Sequence, residues 1–270
     1  MRRRLSNFLI DLNAQHAFSV IDRIAYWRRC ALTARSNRAF RKAHPGFAVP
    51  PLPILWDAQA TTDLEEYKRS GEETASQYWD LMRPYLEASA SRPQCVCEWG
   101  CGPARIIRHL PRLASGWSIE FYGSDYNRGS IRWCRENLHD VTFVENGLAP
   151  PLPFEQDFLD VVFARSVFTH LSEDLHYRWV AEMIRVLRPG GVFILTTHGD
   201  AYRPRLTVRE RVRYDAGEFV IRTLAAEGRK LFAAFYSPHF VRTRLLLGLE
   251  VLAHHPGRGT QDIWMTRVPN

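Results

Sequence analysis

The residues best placed to do chemistry begin at Glu98-Trp99-Gly100-Cys101-Gly102, which ends an apolar run and precedes Pro103-Ala104-Arg105. Gly100 and Gly102 permit backbone angles that a side chain forbids, and they let main chain approach a ligand closely. A helix starting near Pro103 would aim free N–H groups at an anion, and Arg105 in its first turn could assist a carboxylate there. Asp125 stands 27 positions after Glu98, followed by Tyr126, at the end of the next apolar run. A nucleoside site needs an acceptor at that place, because one carboxylate best holds two adjacent ribose hydroxyls. Asn146-Gly147-Leu148 closes the third run, either as a simple turn or as an acceptor oxygen beside an apolar side chain. A glycine turn of this kind also serves nicotinamide and flavin sites, so the surrounding elements must decide between them.

Those elements alternate. Residues 95–98, 118–124, 141–145, 158–164 and 192–197 read as strands. Helical spacing lies between them, in Ile106, Ile107 and Leu110, in Ile131, Trp133 and Leu138, and in Leu175, Trp179, Val180, Met183, Ile184 and Leu187 behind a Ser172 cap. Pro189-Gly190-Gly191 ends the last of these helices. Such alternation predicts an α/β fold with a parallel sheet and helices on both faces. The rhythm then breaks. Residues 218–223 and 230–236 read as a hairpin, Ser237-Pro238 opens a helix, and residues 249–254 and 263–268 read as two strands joined at Pro256-Gly257-Arg258-Gly259. Ahead of the sheet, residues 63–86 return to helical spacing with a break at Gly71. Residues 44–55 are proline-rich and read as an extended linker, which puts a boundary near residue 50.

The net charge of +7 is unevenly placed. Residues 1–45 hold ten basic and two acidic side chains, a balance of +8, and the remaining 26 basic and 27 acidic side chains balance to −1. A near-neutral body argues against a nucleic-acid substrate, whose enzymes carry basic charge around the cleft. Within residues 5–34, Leu5, Phe8, Leu9, Leu12, Val20, Ile21, Ile24 and Trp27 fall at helical spacing, with Arg23 and Arg28 read on the opposite face and Arg2, Arg3 and Arg4 at the start. Such a helix can lie on an anionic membrane surface, pack across the domain or join a homodimer. Five cysteines without paired C-x-x-C spacing read as reduced, mostly apolar side chains, and no metal site is expected. With no apolar run of spanning length and no signal-peptide pattern, a cytoplasmic protein is expected, one that the basic helix could make membrane-peripheral.

The acid-x-Gly-x-Gly turn, Asp125, Asn146, the segment from Ser166 to His170 and Leu187-Arg188-Pro189-Gly190-Gly191 together resemble the class I S-adenosylmethionine-dependent methyltransferases across roughly residues 60–198. The resemblance implies a Rossmann-like, seven-stranded, mostly parallel sheet with an antiparallel last strand, plus an N-terminal helical extension over residues 1–50. It implies S-adenosyl-L-methionine as cofactor and S-adenosyl-L-homocysteine as product. Glu98, Trp99, Gly100, Cys101, Gly102 and Arg105 would frame the cofactor, Asp125 and Tyr126 the ribose, and Asn146, Gly147 and Leu148 the adenine. Ser166 would border the methionine half. Tyr67 and Gly71 look like the helical cover that relatives place over the cofactor. The end of the fourth strand carries Arg165 where catechol-type relatives carry a metal-binding Asp, which disfavours a metal there. His170 and His198 would lie near the transferred methyl, either as bases for a hydroxyl acceptor or as residues bonded to backbone.

The expected activity is methyl transfer to a small molecule, with a hydroxyl of a sugar, glycolipid or secondary metabolite as the foremost acceptor. Residues 199–236, with Tyr202, Arg203, Arg205, Phe219, Phe235 and Tyr236, would form the acceptor wall. Three rivals stay open. A tRNA or rRNA methyltransferase would show steep salt-dependent RNA binding through residues 1–45. An NAD(P)-dependent oxidoreductase would need a third glycine where Arg105 stands. A non-catalytic nucleotide-binding module would bind the cofactor and turn nothing over.

Overall fold

The computed structural model describes residues 15–87 and 91–270, and for residues 15–17 the backbone alone. The expectations for Arg2, Arg3, Arg4, Leu5, Phe8, Leu9 and Leu12 lie outside the described residues.

A seven-stranded sheet forms the centre: β1 (Gln94–Trp99), β2 (Ile119–Asp125), β3 (Thr142–Glu145), β4 (Leu159–Ala164), β5 (Leu187–Thr197), β8 (Glu250–His255) and β9 (Asp262–Arg267). Their spatial order is β3-β2-β1-β4-β5-β9-β8. β1 through β5 pair in parallel, whereas β9 runs antiparallel to both β5 and β8. β1 is buried at every position, as a central strand covered on both faces must be. One face packs Trp99, Val162, Phe193 and Trp264 beneath a helix over Glu173–Val186, capped by Ser172. The other packs Val96, Phe163, Ile194 and Met265 beneath a helix over Leu64–Met82. Strand order reverses between β2-β1 and β4, so the crevice beyond the carboxyl ends of these strands is where a ligand fits. The seven strands, the antiparallel edge and the helices on both faces are as the sequence predicts.

Local departures each have a physical cause. No regular helix starts near Pro103. Ala104 adopts φ 57°, and the chain turns before a 3-10 stretch at Ile107–His109 and a short helix, Leu110–Leu113. β5 begins earlier than expected, because Gly190 donates its N–H to the Val268 carbonyl and extends the ladder through Pro189-Gly190-Gly191.

Ahead of the sheet lie α1 (Gln15–Ala43), α2 (Leu52–Gln59) and α3 (Leu64–Met82). The expected extended linker is instead partly helical. Pro51 precedes α2, and Pro53 sits in its first turn, where a missing N–H costs nothing. Phe40, Leu55, Leu64 and Tyr67 form one cluster with Phe47, Val49 and Leu52 around them, so a cut near residue 50 passes through packed side chains. After β5 come a helix over Val208–Asp215 and a separate hairpin of β6 (Val220–Thr223) and β7 (Phe232–Phe235), whose connecting loop, 224–231, reaches back over the crevice.

Candidate active site

The crevice holds a cleft of about 850 Å³ lined by Trp99, Gly100 and Gly102 at the end of β1, Asp125, Tyr126, Asn127 and Ser130 at and after the end of β2, Asn146 to Leu148 after β3, Arg165 to Val167 with His170 and Leu171 after β4, Trp179 from the following helix, Asp57 and Ala58 from α2, and Gly228 to Lys230 from the hairpin loop. The glycine turn is fixed by sterics. Gly100 has φ 75° and a Cβ there would come within 2.3 Å of a Val167 methyl, while Gly102 has φ 53°. The N–H groups of Gly100 and Cys101 both donate to the Ser124 carbonyl, which ties the turn to the end of β2.

Asp125 is the hinge of this arrangement. Its carboxylate accepts from the Gly102 N–H at 2.7 Å and from the Asn127 N–H at 2.7 Å, one oxygen to each donor. Each oxygen keeps a lone pair for a further donor, which is the demand a vicinal diol makes. Burial raises its pKa, and the backbone donors pull it back. Asn146 lines the cleft with Oδ1 accepting from the Ser124 hydroxyl at 2.5 Å and its amide donating to the Gly147 carbonyl at 2.6 Å. Tyr126 and Leu148 stand as two walls, with Gly228 between them: a Cβ on Gly228 would lie 2.8 Å from Leu148 Cδ1 and 3.2 Å from the Tyr126 hydroxyl. The fit to a flat base beside a diol is good, and the residues present match the group that the turn, Asp125 and Asn146 imply.

Several expected residues support this cleft from behind rather than line it. Glu98 is buried, accepts from the Ile107 N–H at 2.8 Å, and has its pKa raised to about 8 by burial. Its role is to pin the turn that follows Gly102. Cys101 is buried, its sulfur close to where a Cβ on Gly123 would be. Tyr67 and Gly71 do not cover the cleft. Tyr67 is fully buried and donates to the Pro103 carbonyl at 2.7 Å, and Gly71 leaves room for the Arg105 carbonyl, 2.3 Å from where its Cβ would be. Both let α3 press against the glycine turn. Arg105 is likewise turned away, donating to the Ser70 carbonyl at 3.0 Å, and burial lowers its pKa.

The two histidines separate. His198 lies outside the cleft lining, buried with Nδ1 on the Ala234 carbonyl at 3.0 Å and its ring between Tyr202 and Phe235. Burial drives its pKa down to about 3. Its Nε2 faces the Gln261 amide at 3.5 Å, behind Ser166, so the ring packs beside the cleft rather than lining it as expected. His170 does line the cleft. Its Nδ1 meets the Phe232 carbonyl at 2.7 Å, and because a carbonyl only accepts, Nδ1 carries the proton and Nε2 is left as an acceptor. Burial lowers its pKa.

The expected acceptor wall is also redistributed. Phe219, Phe235 and Tyr236 belong to the packed interior, with the Tyr236 hydroxyl on His176 Nε2 at 2.8 Å. Arg203 pairs with Asp215, and Arg205 lies over the Tyr202 ring. What this segment brings to the cleft is its loop, through Gly228, Arg229 and Lys230. Tyr126 donates to the Gly228 carbonyl at 2.8 Å, Gly228 donates to the His170 carbonyl, and Arg229 pairs with Asp57 at 2.8 Å. The loop is thus strapped to three other parts of the rim. Sequence reasoning also gave no binding role to Arg165, which lines the cleft while its guanidinium donates to the Thr74 hydroxyl at 3.4 Å, and which has no carboxylate partner among the described residues. Nor did it find Gln261, which with Thr196 holds Ser166 at φ 62° through bonds of 2.7 to 2.9 Å.

A 3-2-1-4-5 sheet with an antiparallel strand inserted before its edge, a glycine turn after β1 and a carboxylate after β2 define the class I methyltransferase architecture. Residues 97–195 of the chain match the family model described as a methyltransferase domain. Among curated relatives, the phthiotriol/phenolphthiotriol dimycocerosates methyltransferase 1 of Mycobacterium ulcerans is 38% identical over 42% of this chain and 39% of its own length. The fatty-acid O-methyltransferase of Mycolicibacterium smegmatis is 35% identical over 43% of this chain and 39% of its own length. The chain therefore matches about two fifths of those relatives. A SAM-dependent methyltransferase structure from Methanosarcina mazei aligns with TM-score 0.52 at 17% identity, covering 70% of this chain and 97% of the other, a likeness of fold.

Proposed function

We propose that the protein transfers a methyl group from S-adenosyl-L-methionine to the hydroxyl oxygen of a lipid-like small molecule, a glycolipid or related secondary metabolite. The observation that carries the nucleoside half is Asp125, held by two backbone donors with lone pairs left over at the edge of the cleft. Tyr126 and Leu148 would flank the adenine, Asn146 would meet its amine, and Gly100, Gly102 and Trp99 would border the ribose and the chain beyond it. Arg165 and Ser166, at the far end of the lining, would face the methionine portion, with the guanidinium suited to its carboxylate. Bound there, S-adenosylmethionine supplies a sulfonium methyl open to in-line attack.

The chain's own part is to hold the acceptor in line and to take its proton. Positioning supplies much of the rate in such displacements. His170 Nε2 is the acceptor group in the lining closest in chemistry to a general base. As the oxygen–methyl bond forms and the sulfur–methyl bond breaks, the hydroxyl proton passes to Nε2, and S-adenosylhomocysteine leaves neutral at sulfur. The names of the curated relatives, acting on phthiotriol dimycocerosates and on fatty acids, support an apolar acceptor.

Calorimetry with S-adenosylhomocysteine tests the reading. The wild-type chain is expected to bind it, and Asp125→Ala is expected to weaken binding by about 100-fold, the loss of two hydrogen bonds to a charged group, while Asp125→Asn keeps the fold by retaining the acceptor for Gly102. Undiminished binding by Asp125→Ala overturns the site. Binding of NAD(P)H in preference to S-adenosylhomocysteine overturns the class of reaction.

A further inference from the structure

Among the described residues, five of the exposed large apolar side chains lie on α1. Val20, Ile21, Ile24, Trp27 and Leu32 are 51 to 65% exposed there, large apolar side chains facing solvent on one helix. At about 100° per residue, Val20, Ile24, Trp27 and Ala31 form one row, and Arg35, Arg38 and Lys42 continue it. Thr33, Asn37 and Phe40, the residues that anchor the helix to the domain, lie on the reverse side. The sequence suggested that arginines would oppose the apolar stripe. In the structure both share the outward face, because the inward face is taken by the small polar contacts to Thr62 and Leu64.

We infer that this face docks on an anionic lipid surface. The side chains of Gln15–Ala43 include seven basic residues and one acidic, Asp22. Asp22 is spent inwards, paired with Lys230 at 2.9 Å and accepting from the Trp56 indole at 3.1 Å. An apolar row that enters the acyl boundary, extended by cations at headgroup level, is the complement of a negatively charged bilayer. A second copy of the chain seated on the apolar row is the competing occupant, and it would leave the basic continuation of the row without an anionic partner. The placement also has a use. Ser19 and Asp22 of the helix line a groove of about 810 Å³ together with Leu224, Leu231 and Lys230, and Asp57, Arg229 and Lys230 are shared between that groove and the cleft. That groove opens on the inward side of α1, so a bilayer held against the outer face would lie about one helix width from the entrance through which an acceptor would reach His170. This use rests on the lipid-like acceptor proposed above; the docking itself does not.

The test is co-sedimentation of the full chain with vesicles of phosphatidylcholine alone and of phosphatidylcholine mixed with phosphatidylglycerol. The chain is expected to sediment with the mixed vesicles only, less so as salt is raised, and Ile24→Glu/Trp27→Glu is expected to weaken that binding by about tenfold or more. Because both side chains are exposed, circular dichroism and the affinity for S-adenosylhomocysteine in the absence of vesicles should not change. No sedimentation with anionic vesicles, or equal sedimentation by the double variant, overturns the inference. So does a wild-type dimer that the double variant converts to monomer, or RNA binding with no vesicle binding. Vesicle binding by a chain that fails to bind S-adenosylhomocysteine would keep the docking face and remove the proposed reaction.

Discussion

Single residues divide between those that local pattern announces and those that only the fold brings in. Asp125 and the two glycines are legible because a strand end, a turn and a carboxylate recur at a spacing the ligand itself imposes. His170 and His198 look alike in sequence, each a few positions past a strand, yet one faces the cleft and the other fills the core between Tyr202 and Phe235. Both rings are held by carbonyls of β7, His170 by Phe232 and His198 by Ala234, and they part because only His198 is enclosed between two aromatic rings. If His170 is the base, its lowered pKa has a definite consequence. Burial that lowers the pKa of the imidazole favours its neutral form at neutral pH and above, so the rate should be flat towards alkaline pH and fall on the acid side. His170→Gln is expected to lower kcat by about 100-fold with the affinity for S-adenosylhomocysteine unchanged. A variant with wild-type kcat, or a rate still rising above pH 8, would leave the proton to water.

At the scale of elements, the five parallel strands and the antiparallel pair could be read from periodicity, since a buried strand leaves an apolar run bounded by turns. The helix expected from Pro103 could not be refused on the same grounds. Its failure depends on α3, which presses Gly71 onto the Arg105 carbonyl and Tyr67 onto the Pro103 carbonyl and so sets the path of the chain. The hairpin was legible as a hairpin, but not its function: the aromatic residues that suggested an acceptor wall turn inwards, and the loop between the strands makes the contacts. Gly228 is the narrowest of these, at φ 82° and wedged between Tyr126 and Leu148. Gly228→Val places a branched side chain in that gap and strains the backbone, so the loop must lift from both walls. The expected outcome is nucleoside affinity lower by about tenfold or more, with thermal stability changed by no more than about 1–3 kcal/mol, because the strap is not part of the central sheet. Equal affinity in calorimetry would mean that the loop plays no part in closing over the base.

The whole molecule joins a nearly neutral body to a strongly basic helix, and the join is specific. Asn37 donates to the Thr62 carbonyl at 2.7 Å and accepts from the Leu64 N–H at 3.1 Å, so one amide caps α3 and fixes α1 to it. Phe40 fills the space beneath Leu55 and Tyr67. This attachment holds the exposed apolar row at one angle to the cleft, so it governs how a docked molecule presents its entrance. Asn37→Ala leaves a buried N–H and a buried carbonyl without partners, at about 1–3 kcal/mol, and Phe40→Ala opens a cavity worth about 3–5 kcal/mol. Together they are expected to release α1 while leaving the sheet folded, because the strands are packed by separate clusters. Hydrogen exchange can separate the two levels. Amides of Gln15–Ala43 should lose protection in the double variant while those of β1, β4 and β5 keep theirs, and uniform loss across the sheet would show that the helix and the catalytic body unfold as one unit.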